Sequence, residues 1–391
     1  MMHMLSQQTA RRAAAIGLIG LAAAMGIGRF AFTPMLPLMQ ADGSLTLSQG
    51  GYLAGANYAG YLLGAVLCLI VHSRPAATAR LGLIAVAAST LAMALTSSFV
   101  AWLALRLIAG VASALVLVGI SSWSMAVLAN HQRLAWSGWV FAGVGTGIFF
   151  AGLATLAIGA ADLSPSSGWL FFGVAAALVA GLAGMSLHDT ADSQLPQRSD
   201  SSDVANAPLP WRPIVCYGII GFGYIIPATF LPSTARALIA DPAIFGWTWP
   251  VFGLAAALST VAASTFLHGV APRRSWALGQ LLMAAGVALP ALWLSLPSLI
   301  VSATCVGGTF MVVIMAGLQE ARRIGGHATP RLIAAMTAAF AGGQLAGPLV
   351  VAVAGTGIEA IRGPSLLAAT LLILASLALL RDLRLAPRRI R

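Results

Sequence analysis

Apolar residues in this chain do not alternate with polar ones. They run in long blocks separated by short polar breaks. Twelve blocks can be drawn, at 13–39, 49–71, 79–97, 99–128, 135–159, 167–187, 212–235, 245–268, 274–294, 297–320, 331–354 and 364–381. A helix crossing a bilayer needs about 20 mostly apolar residues, and these blocks are of that order. The period-2 pattern of a membrane barrel is absent. Lipid offers no partner to an exposed backbone amide, so each block predicts a helix. The expected fold class is an all-α polytopic membrane protein with twelve transmembrane helices. The first block follows Arg11 and Arg12 as a secretory signal would. It runs on to about Met39, too long for a signal core, and reads as an uncleaved first span.

Composition agrees with the pattern. The chain has 391 residues, 59% hydrophobic and 8% charged, with a mean hydropathy of +0.91. Soluble domains carry about 25% charged residues. The net charge of +11 would suit nucleic acid, but the arginines stand in ones and twos between apolar blocks, so no nucleic-acid partner is expected. All 21 basic residues are arginine. With the N-terminus in the cytoplasm, most of them fall at cytoplasmic helix ends, and only Arg236 and Arg362 fall in outer loops. The positive-inside rule then places both termini in the cytoplasm of a multi-pass protein of the cell inner membrane. Asp42, Asp162 and Glu359 would face outward.

Residues 188–210 are the long polar stretch and hold four of the ten acidic residues. They predict a cytoplasmic linker between six-helix units at 1–187 and 211–391. Three landmarks recur at a spacing near 200: Arg12 with Arg212, Arg74 with Arg273, and Gly143 with Gly342. They predict two pseudo-symmetric six-helix bundles, a parallel repeat found in one large transporter class.

Two arginines lie inside spans. Arg29 stands in "GIGRFAFTPMLPL" and Arg106 in "RLIAGVASA". A guanidinium at mid-bilayer costs about 3 kcal/mol on insertion scales, so its retention asks for a reason. For Arg29 the alternatives are snorkelling to the interface, bonding to carbonyls, or lining a cavity, and the last is the expectation. For Arg106 a cavity role and a brace on backbone carbonyls stand level. Asn57 and Tyr61 share a face of the second block and could either meet Arg29 or hold helices together. Tyr224 is a cavity candidate, while Met311 and Met315 could line an adaptable pocket or fill core. Trp247 and Trp249 read as an aromatic belt. Gly110, Gly143, Gly147, Gly343, Gly347 and Pro348 are candidates for close packing and gating.

The blocks contain no mid-span Asp or Glu, and Glu320 is expected as an interfacial ion pair beside Arg322 and Arg323. The histidines sit at or beyond block ends. No paired-histidine metal motif, nucleotide loop or Ser/His pair is visible, so neither enzymatic chemistry nor a metal or other cofactor is expected. Cys68, Cys216 and Cys305 have no motif spacing and read as packing residues.

The R-x-x-x-G of "RLIAGVASA", the glycines of "GVGTGIFFAG" and the Gly-Pro of "GGQLAGP" resemble the major facilitator superfamily. "VHSRPAATARLG" occupies the place of that family's loop signature but lacks its Asp. "GIGRFAFTPMLPLM" followed by "LSQGGYLAGANYAGYLLGA" is similar to the YbfB/YjiJ branch. The resemblance implies the major facilitator fold and says little of the substrate. Two buried cations without a buried anion point to a small-molecule substrate that brings the negative charge itself. The expected function is secondary transport of a small organic anion by symport or antiport. The alternatives are an exporter of neutral or cationic apolar compounds, and a membrane scaffold or sensor. Beyond the lipid bilayer no obligate protein partner is visible.

Overall fold

The computed structural model describes residues 2–70, 74–133, 136–188, 209–239, 241–266, 270–326, 329–355 and 357–385. The first block is one continuous rod in three pieces: α1 (Met2–Leu21), a π-helical stretch (Ala22–Phe30) and α2 (Phe32–Ala41). Then come α3 (Leu47–Ile70), α4 (Pro75–Ala94), α5 (Phe99–Asn130), α6 (Ser137–Ala160) and α7 (Pro165–Gly184). The second series is α8 (Trp211–Leu238), the short α9 (Pro242–Phe245), α10 (Thr248–Phe266), α11 (Pro272–Leu292), α12 (Leu296–Gly325), α13 (Thr329–Ala354) and α14 (Glu359–Leu385).

Every predicted block is thus a helix, and no strand occurs among the described residues. Eleven helices, counted over those residues, are long and apolar enough to cross a membrane. The remaining one, α3, has 24 residues and turns Leu63, Val66, Leu67 and Ile70 outward. The proposed linker 188–210 lies almost wholly outside the described residues. Polar breaks stop the helices in ordinary ways. Ser98, Ser164 and Ser295 cap α5, α7 and α12, and Pro75, Pro165 and Pro272 open α4, α7 and α11, where a missing N–H costs nothing.

Packing repeats between the series. In the first, α3 packs on α5, α4 on α5 and α7, and α1 with the π stretch on α6. In the second, α10 packs on α12, α11 on α12 and α14, and α8 on α13. Each contact of the first set recurs six spans later. The series meet through α6 with α10 and α3 with α13, a pair of contacts the same relation exchanges, and through α2 with α8. Glycine makes the closest of these approaches possible. A Cβ on Gly143 or Gly147 would overlap the carbonyl oxygen of Leu18 or Ala22, and one on Gly343 would overlap that of Gly218. One on Gly347 would press on Ile225 and approach the Phe222 carbonyl. These contacts pair Gly143 with Gly343. The sequence spacing suggested Gly342 instead, but that residue faces open space. Pro348 lies inside α13, and its carbonyl faces Gly51 of α3.

The two ends of the molecule differ. Arg12, Arg74, Arg133 and Arg273 mark one, and Asp42, Asp162 and Glu359 the other. At the Asp42 end α2 packs on α8, whereas α1, toward the arginine-rich end, packs on α5 and α6 instead.

Candidate functional site

The π-helical stretch shapes the centre of the molecule. Pro34 has no N–H, and its ring crowds the carbonyl four residues back, that of Phe30. The chain widens before that point. In the π register the Arg29 carbonyl would look to the nitrogen of Pro34, five residues on, which carries no hydrogen. Arg106, reaching across from α5, supplies the donor: its Nη2 donates to the Arg29 carbonyl at 2.9 Å and its Nη1 to the Gly28 carbonyl at 3.1 Å. Asn57 of α3 adds to the brace, with Nδ2 donating to the Arg106 carbonyl at 3.0 Å and to that of Gly28 at 3.4 Å. Helices α3 and α5 touch closely enough for this because Gly110 has no Cβ, which would overlap the Asn57 carbonyl.

Arg29 behaves otherwise. Its side chain is 2% exposed, so it does not snorkel to the surface. The guanidinium carbon lies 4.0 Å from the Tyr61 ring centroid, 5.0 Å from that of Tyr58 and 5.2 Å from that of Phe30. Aromatic faces attract the cation, more strongly where water is excluded. Yet Nε and Nη2 have no hydrogen-bond partner among the described residues. These two atoms form one side of the guanidinium and can grip a carboxylate bidentately. The same protein does this elsewhere: Nε and Nη2 of Arg323 donate to Glu320 at 2.8 and 2.7 Å.

Across from Arg29, the second series contributes hydroxyls and rings. Tyr58 and Thr229 share a hydrogen bond of 3.1 Å, and Thr33 donates to the Ala228 carbonyl at 2.8 Å. That carbonyl lacks its helical partner because Pro232 stands four residues on. Tyr224 lies within electrostatic range of Arg29, and Gln344 of α13 donates to its hydroxyl. Its ring stacks between Phe310 at 5.4 Å and Phe340 at 5.6 Å. From Phe310 the stack continues through Phe252 to Trp249, which also meets Phe30. Trp249 is fully buried, so it is part of this wall and not of an aromatic belt, while Trp247 is 49% exposed.

Of the residues singled out from sequence, Arg29, Asn57, Tyr61 and Arg106 meet in one cluster, with Tyr224 beside it. Met311 is buried next to Phe310 in α12, and Met315 is half-buried one turn on. Sequence reasoning missed Tyr58, Thr229 and Gln344. Signals for them existed. Tyr58 precedes Tyr61 by three positions on a helix, Gln344 lies inside "GGQLAGP", and Thr229 stands where the repeat puts the counterpart of Arg29. Glu320 forms the expected ion pair with Arg323 at the end of α12. Its carboxylate is fully buried, Arg323 is half exposed, and Arg273 lies at 3.7 Å as a further cation the sequence did not suggest. No group of three or more metal-ligating side chains occurs among the described residues.

A family model described as "Uncharacterised MFS-type transporter YbfB" matches residues 21–380. The chain belongs to this family. Its fold is that of solved transporters. The nucleoside transporter NupG, as a point mutant, superposes with a TM-score of 0.73 at 15% identity, covering 94% of this chain and 99% of that one. NupG without that mutation gives 0.70 at 13% identity, with 96% and 99% covered. The human organic anion transporter MFSD10 (TETRAN) gives 0.64 at 18% identity, with 95% and 99% covered. No curated protein sequence matches the chain. Family and fold are therefore those of multi-pass membrane transporters of small molecules.

Proposed function

We propose that this YbfB-family protein is a secondary active transporter of a small organic anion with an aromatic or otherwise apolar body. It works in the bacterial inner membrane, with both termini in the cytoplasm. The observation that carries the reading is Arg29, a buried guanidinium whose Nε–Nη2 side has no partner among the described residues. A buried charge must be paired or solvated, and a substrate carboxylate would complete the fork. Tyr61 and Tyr58 hold the cation from the first series, and the Tyr224–Phe310–Phe340 stack offers a flat apolar wall from the second. Asn57 and Arg106 hold the backbone that carries Arg29 and position it.

Transport would proceed by rocking of units 1–187 and 211–391 about this midplane site, joined by the linker 188–210, with symport or antiport supplying the energy. The contact of α2 with α8 joins the two units at the Asp42 end, where rocking would have to part them. Gly110, Gly143, Gly147, Gly343 and Gly347 would let helices slide at close range, and Met311 and Met315 would line the apolar side. NupG is a nucleoside transporter and MFSD10 an organic anion transporter; the Arg29 site favours the anionic class.

Thermal unfolding in detergent tests this against a panel of benzoate, phenylacetate, benzylamine and benzyl alcohol, because a ligand of the folded state raises the apparent stability. Hits then go to flux assays in proteoliposomes. The carboxylates should stabilise and be transported. Stabilisation by the amine or alcohol alone would overturn the anionic reading in favour of an exporter of neutral or cationic compounds. Binding without flux would indicate a sensor.

A further inference from the structure

Two cavities lie away from the Arg29 cluster, toward the end that carries Asp42 and Glu359. One, of about 180 Å³, sits among α8, α11, α12 and α14, with Phe230, Leu231, Val287 and Leu299 in its walls. Pro227 and Pro290, each inside a helix, also line it. The other, of about 290 Å³, lies between Gln40 and Leu47 on one side and α8 and α14 on the other. Ile358 and Ile361 form a wall common to both.

Polar groups are few and placed at the same end. Arg362 and Glu359 line the first cavity and Arg236 the second. These are the two arginines that depart from the charge bias of the sequence. Two buried hydroxyls, Ser302 in the first cavity and Ser233 in the second, have no hydrogen-bond partner among the described residues. At the rim, where α11 ends, Leu292 and Trp293 are 68% and 63% exposed. Leu292 lines the first cavity, and the adjoining Trp293 is of the residue type enriched at the membrane–water boundary.

We propose that the two cavities together hold one anionic phospholipid from the adjoining leaflet. Arg236 and Arg362 grip its phosphate, a planar fork being suited to that group. The two arginines and Glu359 leave one net positive charge, which a single phosphate neutralises. The serine hydroxyls supply further donors, and the 180 Å³ cavity takes a stretch of one acyl chain. A dry engineered cavity of about 150 Å³ accommodates benzene, so the volume suits about six carbons. The lipid would wedge α8 against α14 and so bias the position of the helix that carries Thr229 and Tyr224.

The test uses the full-length protein, delipidated in a maltoside detergent and titrated with dioleoyl phosphatidylglycerol, dioleoyl phosphatidylcholine or glycerol 1-phosphate. Native mass spectrometry reads the adducts and thermal unfolding reads the effect. One phosphatidylglycerol should bind about tenfold or more tightly than phosphatidylcholine, as expected from two arginines at a membrane surface. The double variant Arg236→Gln/Arg362→Gln changes side chains at the surface end of the molecule and should fold; it should lose that preference. Glycerol 1-phosphate should bind far more weakly than the lipid. Equal binding of the two lipids, an undiminished preference in the double variant, or tight binding of glycerol 1-phosphate would each overturn the proposal.

Discussion

Replacing Arg29 by Ala should abolish anion binding while leaving the protein as stable as before, or more so. The guanidinium gains from Tyr61 at 4.0 Å and Tyr58 at 5.0 Å, contacts worth about 2 kcal/mol or more each when desolvated. Against this stands the burial of a charge with two unpartnered nitrogens, an effective penalty of several kcal/mol. The two nearly cancel, and the hole left by Ala takes back part of any gain. Arg106→Ala is the built-in comparison. It removes two charge-assisted bonds, each worth about 1.5–3 kcal/mol, and strands the Arg29 carbonyl opposite Pro34. A loss of about 3–5 kcal/mol follows, a large share of a typical total stability. Arg29→Lys keeps the charge without the fork and should weaken binding of benzoate by about tenfold or more. Unfolding curves in detergent, with and without benzoate, read both quantities on one sample. If Arg29→Ala is destabilised as much as Arg106→Ala and still binds benzoate normally, Arg29 is a brace and the anion site lies elsewhere.

Other substitutions probe the supports of this site. Thr33→Val leaves the Ala228 carbonyl, already deprived by Pro232, without a donor, and should lower stability by about 1–3 kcal/mol in chemical unfolding. Gly110→Ala should destabilise by about 1–3 kcal/mol because α3 and α5 must part, whereas Gly181→Ala, with open space around it, should be neutral or stabilising by about 0.5–1 kcal/mol. Glu320→Gln weakens a bidentate pair to the half-exposed Arg323 and should cost about 1 kcal/mol, yet flux should persist; its complete loss in folded protein would make Glu320 the coupling residue. A cysteine introduced at Gln197 in a cysteine-free variant should resist impermeant reagents in intact cells and react in inverted vesicles, and labelling from outside would reverse the proposed orientation.

The helices were legible from sequence because lipid leaves the backbone no choice. An apolar block long enough to cross must bond to itself, so block length alone predicts each element, and the Pro and Gly breaks set its ends. The intramembrane position of Arg29 and Arg106 was legible for the same reason. What each arginine does was not. Both look alike along the chain, a cation among apolar residues. Only when Pro34 widens the first helix, and Gly110 lets α5 approach α3, does Arg106 meet the two carbonyls that take its Nη donors. Arg29 then remains with aromatic faces and an unpartnered fork. Likewise the spacing of Gly143 suggested Gly342, but contact chose Gly343, since which glycine meets a neighbour depends on helix rotation that no single strand of sequence records. The pairing of Glu320 with Arg323 was legible because the two lie one helical turn apart; Arg273, far earlier in the chain, comes within 3.7 Å only through the packing of α11 on α12. Local hydrophobicity determines which segments cross the membrane. The pairing of polar groups inside depends on distances between helices, and those are properties of the assembled bundle.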